Sequence, residues 1–600
     1  MTETLTLITE RVDDIPVLFE QMQKLEMAQQ IDKHLHSHGN RKGLSYGVLA
    51  CVWLTHIISQ ADHRMNQVRQ WAIQRTNTLQ SLMPIVGAQS STFVESDFTD
   101  DRLADLLKAL SDDTKWDLLE SDLNSKSIAV YDLPTEVVRL DATTVSLDTD
   151  PEGLFALGHS KDHRPDVAQV KIMMATLDPL SMPLLTHIVA GNSADDPLYL
   201  PAVEQVRKSV GKRGLLFVGD CKMAAKATRA GIASGADGIA SGADGIASGA
   251  DLYLCPLAQA QMPSEQLSQR LRPVLTGEQS LISIERMDKS GQLEILGEGY
   301  EWSESQQFGD FCWQERRLLV RSDAFAKAAE RGLQTRLASA QAKISQLSER
   351  GKGKRYPKDG LAAREAVNAI VSHYNLDGLL NVTITENLHE ASVRGYGGNP
   401  GRLESNIQVD IICDINPSLL KSHIASLGWR VYATNASIER LSFNKCILLY
   451  REEYRVEQSF GRLKGHPLSI SPLYVNREDH VKGMIRLLAL GLRILGLLEF
   501  AVRRRLSELL DPVTGAPQPL LGLYAGNPKR GTLQPTAESL LKAFKEISLT
   551  LINHSGQVLR HVTALNLLQE RILKLLDSLP EVYIRLVEQS VLPPQKMSEP

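Results

Sequence analysis

The chain has 600 residues and a mass of 66.4 kDa, which is too long for a single hydrophobic core because domains usually contain roughly 100–200 residues. Hydrophobic residues make up 43% of the chain and charged residues 23%, a globular composition that excludes wholesale disorder and fibrous folds. The formal net charge of −5 excludes a global basic field, so any contact with nucleic acid must come from local patches.

The cysteines and the apolar segments indicate where the protein works. Six cysteines are scattered without a C-x-x-C pair, which is typical of a reducing cytoplasm. The first residues lack the basic and apolar regions of a signal peptide. Of the two most apolar segments, residues 44–58 are too short to span a bilayer, and residues 485–502 contain three charges. We therefore expect two buried helices in a cytoplasmic protein that does not associate with membranes.

Residues 1–130 are predicted to be helical. Apolar side chains recur at helical spacing in residues 15–25, 47–58 and 102–110, and no strand pattern competes with them. Thr99 precedes two acidic residues and is a predicted helix N-cap.

Residues 131–255 show the pattern of an α/β core. Three strands, a helix, a strand and a second helix follow one another, and this order favours a sheet covered by helices. The predicted strands occupy residues 137–147, 169–177, 183–190 and 214–218, and the first helix occupies residues 197–210. The second helix begins after Asp220.

A perfect repeat follows. Residues 231–251 contain Gly-Ile-Ala-Ser-Gly-Ala-Asp three times without a mismatch. Solenoid repeats are longer and drift in sequence, so this pattern indicates a recent duplication in the coding DNA. The repeat is either a tolerated surface loop before a strand at residues 252–255, or an insertion whose two extra copies disturb the fold and weaken activity.

Residues 256–435 are interpreted as an inserted domain. They mix short strands with one long polar helix, predicted for residues 323–350. That helix ends in a basic run, in which Lys352, Lys354 and Arg355 are candidates for contact with DNA phosphates. The alternative is a solvated linker. Beyond the insertion, residues 438–464 are predicted to form one helix, and the rest of the chain is mainly helical.

Three acidic residues are candidates for catalysis. Asp141 lies within a predicted strand and Asp220 at the end of another, where a carboxylate is costly unless it is hydrogen-bonded or binds a cation. Tyr450, Glu457 and Lys464 are seven residues apart, so one face of a continuous helix would present a phenol, a carboxylate and an ammonium group. The alternative is a solvated charged face.

The same three side chains fit, in register, a signature of Tyr, two residues, Arg, three residues, Glu, six residues and Lys. In this the chain resembles bacterial DDE-type insertion-sequence transposases of the superfamily named after insertion sequence four. Glu453 stands at the position of the Arg, and Arg451 or Arg455 can substitute for its phosphate contact. Further segments are similar to one branch of that superfamily, namely residues 140–144, 158–166, 191–192 with 195–197, 218–223, 394–398 and 526–531, with residues 44–71 in the N-terminal region.

The resemblance implies an α/β fold with an RNase-H-like catalytic core, a β-rich insertion domain, and helical N- and C-terminal regions. It divides the chain into residues 1–130 for recognition of DNA ends, 131–255 for the first part of the core, 256–435 for the insertion domain, 436–470 for the last catalytic helix, and 471–600 for the C-terminal region.

The resemblance also implies the catalytic and metal-binding residues. It assigns both roles to Asp141, Asp220 and Glu457, which would hold two Mg²⁺ ions, for which Mn²⁺ can substitute. In an RNase-H-like sheet the first and fourth strands are adjacent, so the two aspartates can meet. Lys464 would contact a phosphate near the site, and Tyr450 a phosphate or a sugar.

The implied function is a DNA transposase that cuts the ends of its insertion sequence and joins the 3′-hydroxyl to target DNA. Its partners would be double-stranded DNA, with terminal inverted repeats and target, and a second copy of the chain in a dimeric synaptic complex. A catalytically inactive DNA-binding protein derived from a transposase is the alternative, which Glu453 and the repeat favour. A nuclease acting on RNA hybrids is disfavoured because it would have little use for the long N-terminal region and the insertion.

Overall fold

The computed structural model describes residues 5–36, 42–88, 92–161, 164–234, 250–288, 291–349, 356–393, 402–554, 557–578 and 580–588. The chain forms two compact units. The first comprises Met1–Cys255, Gln306–Gln314 and Leu449–Pro600, and the second comprises Pro256–Ser305 and Glu315–Leu448.

Short helices make up most of the N-terminal region, and strands alternate with helices after it. The N-terminal region contains β1 (Thr6–Arg11), α1 (Ile15–Lys24), α2 (Met27–His34), α3 (Tyr46–Gln60), α4 (Met65–Ile73), α5 (Thr76–Leu82), α6 (Asp100–Leu110) and α7 (Asp113–Tyr131). Next come β2 (Val137–Leu147), β3 (Ala168–Leu177), β4 (Met182–Ala190), α8 (Asp196–Val210), β5 (Leu216–Gly219), α9 (Lys226–Ser234) and β6 (Leu252–Pro256).

The middle of the chain contains α10 (Ser264–Leu275), β7 (Ile282–Met287), β8 (Leu293–Phe308), β9 (Phe311–Ser322), α11 (Asp323–Ser348), α12 (Gly360–His373), β10 (Leu380–Val393), β11 (Arg402–Ile415), α13 (Pro417–Ala425) and β12 (Trp429–Thr434). The remainder contains α14 (Phe443–Arg451), α15 (Tyr454–Lys464), α16 (Glu478–Glu508), α17 (Ala537–Lys542), β13 (Ser548–His554), β14 (Gln557–Val562), α18 (Leu567–Leu575) and α19 (Glu581–Glu588).

A mixed sheet lies at the centre of the first unit, with its strands in the order β4-β3-β2-β5-β6. The strands β2, β3 and β4 are antiparallel neighbours, whereas β5 runs parallel to β2 and β6 runs parallel to β5. Each strand predicted for the α/β core is found within two residues of its expected bounds. The expected adjacency of the first and fourth core strands is also confirmed, and this α/β arrangement with a helical N-terminal region is consistent with an RNase-H-like core.

The long helix α16 accounts for the apolar segment at residues 485–502, which was expected to be a buried helix. The two arginines within that segment, Arg486 and Arg493, are each only 1% exposed. Arg493 donates hydrogen bonds to the side chain of Asn124 (2.7 Å) and to the carbonyl of Pro183 (2.9 Å), so its charged group is solvated by the protein. No helix in the described ranges is long and apolar enough to cross a bilayer.

In the second unit the strands follow the order β12-β9-β8-β7, and β10 and β11 form a separate antiparallel hairpin. Helices α11 and α12 pack close to that hairpin around a core that includes Leu333, Leu337 and Leu376. The long polar helix predicted for residues 323–350 corresponds to α11. The unit combines six strands, counting β9, with four complete helices in the part of the chain described.

The prediction that no strand competes in the N-terminal region is wrong, because β1 pairs antiparallel with β13 near the other end of the chain. Five of the six residues of β1 are exposed, and only Glu10 is buried. A strand with so little buried apolar surface has no hydrophobic alternation to detect, and its pairing partner is more than 500 residues away. Strands β13 and β14 likewise interrupt the predicted helical C-terminal region.

The single helix predicted for residues 438–464 is also wrong. Two helices are present, α14 and α15, and the chain turns between them at Glu452 and Glu453. The turn is closed by hydrogen bonds between residues three apart, such as Glu453 N–H to Tyr450 C=O (2.9 Å). Tyr450 therefore lies on α14 whereas Glu457 and Lys464 lie on α15, so the seven-residue spacing does not place the three side chains on one continuous helix.

Candidate active site at two adjacent core strands

Asp141 and Asp220 meet at the junction of β2 and β5. The parallel register pairs Leu140 with Gly219, so the residue that follows each of them is an aspartate. Burial raises the pKa of Asp141 above its ordinary value. Lys161 opposes that shift, and the negative charge of Asp220 adds to it. The two carboxylates are therefore close enough to influence each other, as two ligands of a shared cation would be.

Each aspartate is held by its own hydrogen bonds. Asp141 Oδ1 accepts from the backbone N–H of Ala142 (2.7 Å) and from Lys161 Nζ (3.2 Å). Asp220 Oδ1 accepts from the Tyr199 hydroxyl (2.6 Å) and from the backbone N–H of Lys222 (2.9 Å). These contacts fix the orientation of both carboxylates.

Tyr199 is a site residue that the sequence analysis missed. It lies on α8 and is 1% exposed. Burial raises its pKa well above the ordinary value, and the charge of Asp220 raises it further, so the hydroxyl remains a proton donor to Asp220. A tyrosine three residues after Asp196 at the start of a helix has no sequence signature of its own, because only the packing of α8 on the sheet brings it to Asp220.

Glu453 is a further carboxylate whose charge is coupled to this pair. Burial raises the pKa of Glu453 to about 7, while a hydrogen bond with Tyr450 acts in the opposite direction. The charges of Asp141 and Asp220 raise that pKa further, which places Glu453 within electrostatic reach of both. Glu457, by contrast, is exposed in the first turn of α15, and its carboxylate has no hydrogen bond or ion pair within the described ranges.

A buried ion-pair network holds the turn between α14 and α15 beside β2. Arg139, on β2, donates two hydrogen bonds to the carboxylate of Asp178 (2.9 and 2.6 Å) and one to the carbonyl of Leu449 (3.0 Å). Arg455 Nη2 donates to Glu452 Oε1 (3.0 Å), and its Nη1 lies 3.6 Å from Asp178 Oδ1. Arg139 was detectable in the sequence only as a charge within an apolar strand, the same signal that singled out Asp141.

Comparison with known proteins identifies the family of the chain. A family model described as "Transposase DDE domain" matches residues 132–493, which is more than half of the chain. The chain belongs to this family. A search of curated proteins found no match.

The transposase domain family implies transposase activity in general, DNA binding and the use of divalent metals. The matched segment contains Asp141, Asp220 and both candidates for a third carboxylate, Glu453 and Glu457. Among the residues that the structure describes, no three His, Cys, Asp or Glu side chains are close enough to hold one metal ion. The aspartate pair nevertheless suits Mg²⁺, which usually binds one or two carboxylates together with waters and substrate phosphates.

The predicted DNA contacts of the transposase have different surroundings. Tyr450 is hydrogen-bonded to Glu453, and Arg455 is engaged in the network around Asp178. Arg451 and Lys464 are half-buried at the C-terminal ends of α14 and α15. The candidates Lys352, Lys354 and Arg355 lie outside the described residues, as do residues 394–398 and residues 235–249 of the repeat.

Proposed function

We propose that the chain is a DNA transposase of the insertion-sequence-four superfamily, which cuts the ends of its own insertion sequence and joins the freed 3′-hydroxyl to target DNA. The observation that carries the proposal is that Asp141 and Asp220 directly follow Leu140 and Gly219, which are paired on adjacent parallel strands inside a segment that matches the transposase family. RNase-H-like topology and two convergent carboxylates suit phosphoryl transfer, since no protein nucleophile is required.

In the first step, water attacks phosphorus at the element's end, and the bond from phosphorus to the 3′-oxygen breaks to leave a 3′-hydroxyl. That hydroxyl then attacks a target phosphodiester, so one phosphorus–oxygen bond forms as another breaks. Bound Mg²⁺ would stabilise charge on the attacking and leaving oxygens. Asp141 and Asp220 would hold the metal, and Tyr199 keeps the Asp220 carboxylate oriented through its 2.6 Å hydrogen bond.

The proposal retains Glu457 as the third catalytic and metal-binding carboxylate, on the strength of the family resemblance. Glu453 is the alternative because of its electrostatic coupling to both aspartates. Parallel cleavage assays on Glu457→Gln and Glu453→Gln separate them. Loss of cleavage only in the first variant supports Glu457, and loss only in the second assigns the role to Glu453.

The principal experiment is cleavage of labelled duplexes that carry the ends of the element, with Mg²⁺ or Mn²⁺. The unaltered protein should nick specifically at the ends, and Asp220→Asn should not, although asparagine can still accept the hydrogen bond from Tyr199. Asp166→Asn is a matched control, because Asp166 is 62% exposed and its ion pair within the described ranges is with the surface residue Arg164. Nicking that survives in Asp220→Asn would contradict the proposed site.

A catalytically inactive DNA-binding protein is the second candidate. It is favoured by Glu453, which places a carboxylate where the family signature has an arginine. End-specific binding without nicking, in the unaltered protein and in Asp220→Asn alike, would support this candidate over the enzyme.

The remaining assignments follow from the same family and are part of the proposal. The N-terminal helical region would recognise the terminal inverted repeats, and two protomers would hold two ends in a synaptic complex. The proposed DNA contacts are Tyr450, Lys464, Arg451, Arg455, Lys352, Lys354 and Arg355. Replacement of Lys464 by alanine should weaken binding to end duplexes of every sequence alike, because phosphate contacts carry no base information.

A further inference from the structure

A cavity of about 530 Å³ lies beside the candidate catalytic carboxylates, in the first unit. Part of its wall is the segment of β2 immediately after Asp141, and the opposite part is the loop of residues 191–196. Three ammonium groups and an imidazole complete the lining, from Lys161, Lys171, Lys222 and His159. We call this cavity the lysine pocket. None of the three lysines was singled out as a DNA contact in the sequence.

Lys161 connects the lysine pocket to the catalytic site. Its ammonium group donates to Asp141 Oδ1 (3.2 Å) and also to the carbonyl of Ala142. An ammonium has three N–H donors, and the contacts within the described ranges use two of them. The side chain is 38% exposed, so the third donor is available to a ligand in the pocket.

Lys171 is the buried cation of the pocket, with 8% of its surface exposed. It donates to the carbonyl of Ser193 and to the carboxylate of Asp195. A buried ammonium is costly unless it is paired and hydrogen-bonded, and these two partners meet that requirement. They also hold the group in one place, so that a third N–H remains for a ligand without further loss of side-chain freedom.

Lys222 supplies the exposed cation. Its backbone N–H is hydrogen-bonded to Asp220, so the side chain starts two residues from a catalytic carboxylate. In the described part of the chain its ammonium group makes no hydrogen bond or ion pair. Two aspartates also line the pocket, Asp195 and Asp196, and the first of them is already paired with Lys171.

We propose that the lysine pocket binds a phosphodiester group of the DNA strand next to the bond that reacts. The inference deepens the proposed function and rests on it. A phosphodiester carries one negative charge and accepts hydrogen bonds from several donors, which matches two immobilised ammonium groups and one exposed one. Because Lys161 contacts Asp141, a phosphate bound in the lysine pocket belongs to the DNA strand that reaches the catalytic carboxylates.

The test measures binding of the full chain to an element-end duplex in EDTA, so that no cleavage is needed. Fluorescence anisotropy at 50–200 mM KCl gives the slope of log affinity against log salt concentration. Each lost phosphate contact should reduce the magnitude of that slope by about 0.9. We expect this reduction for Lys222→Ala, which alters an exposed side chain and should leave folding unchanged. Lys574→Ala is the matched control, since Lys574 is exposed in the last turn of α18, lies outside the region proposed to recognise the DNA ends, and does not line the pocket.

The outcomes separate the two proposals. Tight binding by the unaltered protein with an unchanged slope in Lys222→Ala would overturn the lysine pocket and leave the proposed function standing. No binding by the unaltered protein would overturn both. Lys171→Gln should reduce the slope in the same way, and Lys171→Arg should restore it because the positive charge is retained. Thermal denaturation of both Lys171 variants identifies any loss of fold.

A second measurement locates the bound phosphate. Single uncharged methylphosphonates are placed in turn along the end duplex, and the affinity of the unaltered protein is compared with that of Lys222→Ala. One methylphosphonate close to the nicked bond should weaken binding by the unaltered protein and have no further effect on the variant. If the variant instead loses sensitivity at a phosphate more than about one helical turn from the nick, the pocket does not bind next to the reacting bond.

Discussion

Asp251 is the last residue of the triplicated heptad. Because it is buried, we predict that the aspartate of this third copy is the one that stabilises the fold. The residue is fully buried, and its carboxylate accepts hydrogen bonds from Arg207 Nε and from the backbone N–H of Leu215 (2.9 Å). Arg207, itself 7% exposed, also donates to the carbonyl of Ile232 (3.1 Å), which belongs to the first copy. One guanidinium group therefore contacts the first and the last copy of the repeat.

The perturbation is Asp251→Asn, which keeps the shape of the side chain and an oxygen acceptor for Leu215 but removes the charge. Arg207 would then be a buried cation without its counter-ion. Breaking one half of a buried ion pair costs about 3–5 kcal/mol, because the remaining charge is left uncompensated. Because the entropy of unfolding is about 2.1 cal/mol/K per residue, a unit of roughly 400 residues shifts by about 1 °C per kcal/mol, so the melting temperature should fall by about 3–6 °C.

The assay is thermal and urea denaturation followed by circular dichroism. Asp237→Asn and Asp244→Asn are the matched controls, because both aspartates follow Gly-Ala just as Asp251 does. Because the carboxylate paired with Arg207 is that of Asp251, each control is expected to change stability by less than about 0.5 kcal/mol. The reasoning is refuted if Asp251→Asn costs less than about 1 kcal/mol, or if a control costs as much as Asp251→Asn.

Three further predictions concern the repeat, the catalytic carboxylates and pH. Removal of two heptads should leave the melting temperature unchanged or higher, because Arg207 contacts both Ile232 and Asp251 and a shorter connection between them loses less entropy on folding. A fall of several degrees would contradict this. Tyr199→Phe should slow end cleavage by about 10–100-fold without unfolding the protein, as expected for a residue that orients the ligand Asp220; an unchanged rate would remove that role. Burial raises the pKa of Glu120 from an ordinary value of 4.5 to about 7, so the native state retains a proton that the unfolded state releases, and stability is lost as the pH rises through this window. Between pH 5 and pH 8, the free energy of unfolding of Glu120→Gln should therefore fall by about 2–3 kcal/mol less than that of the unaltered protein, as measured by denaturation at both pH values. An equal fall in both proteins would show that Glu120 does not titrate in this window.

The sequence alone determined the local elements of the core and their order. Hydrophobic periodicity is informative where a prediction depends on side chains within one element. Examples are the β-branched run of β2, the apolar stretch of α16 and the bounds of the first core strands. The family resemblance, drawn from motifs spread along most of the chain, then led to the pairing of Asp141 with Asp220, and the strand register confirmed that their strands are adjacent.

Tertiary structure alone decided which charged groups surround that pair. Glu453 was noted in the sequence as a departure from a signature, yet the turn between α14 and α15 brings it towards the two aspartates. A seven-residue spacing defines a helix face only while the helix is continuous, and Arg139 binds the chain at the point where the helix breaks. Tyr199 likewise reaches Asp220 through packing between separate elements. Such contacts depend on the packing of distant segments, which local periodicity does not encode.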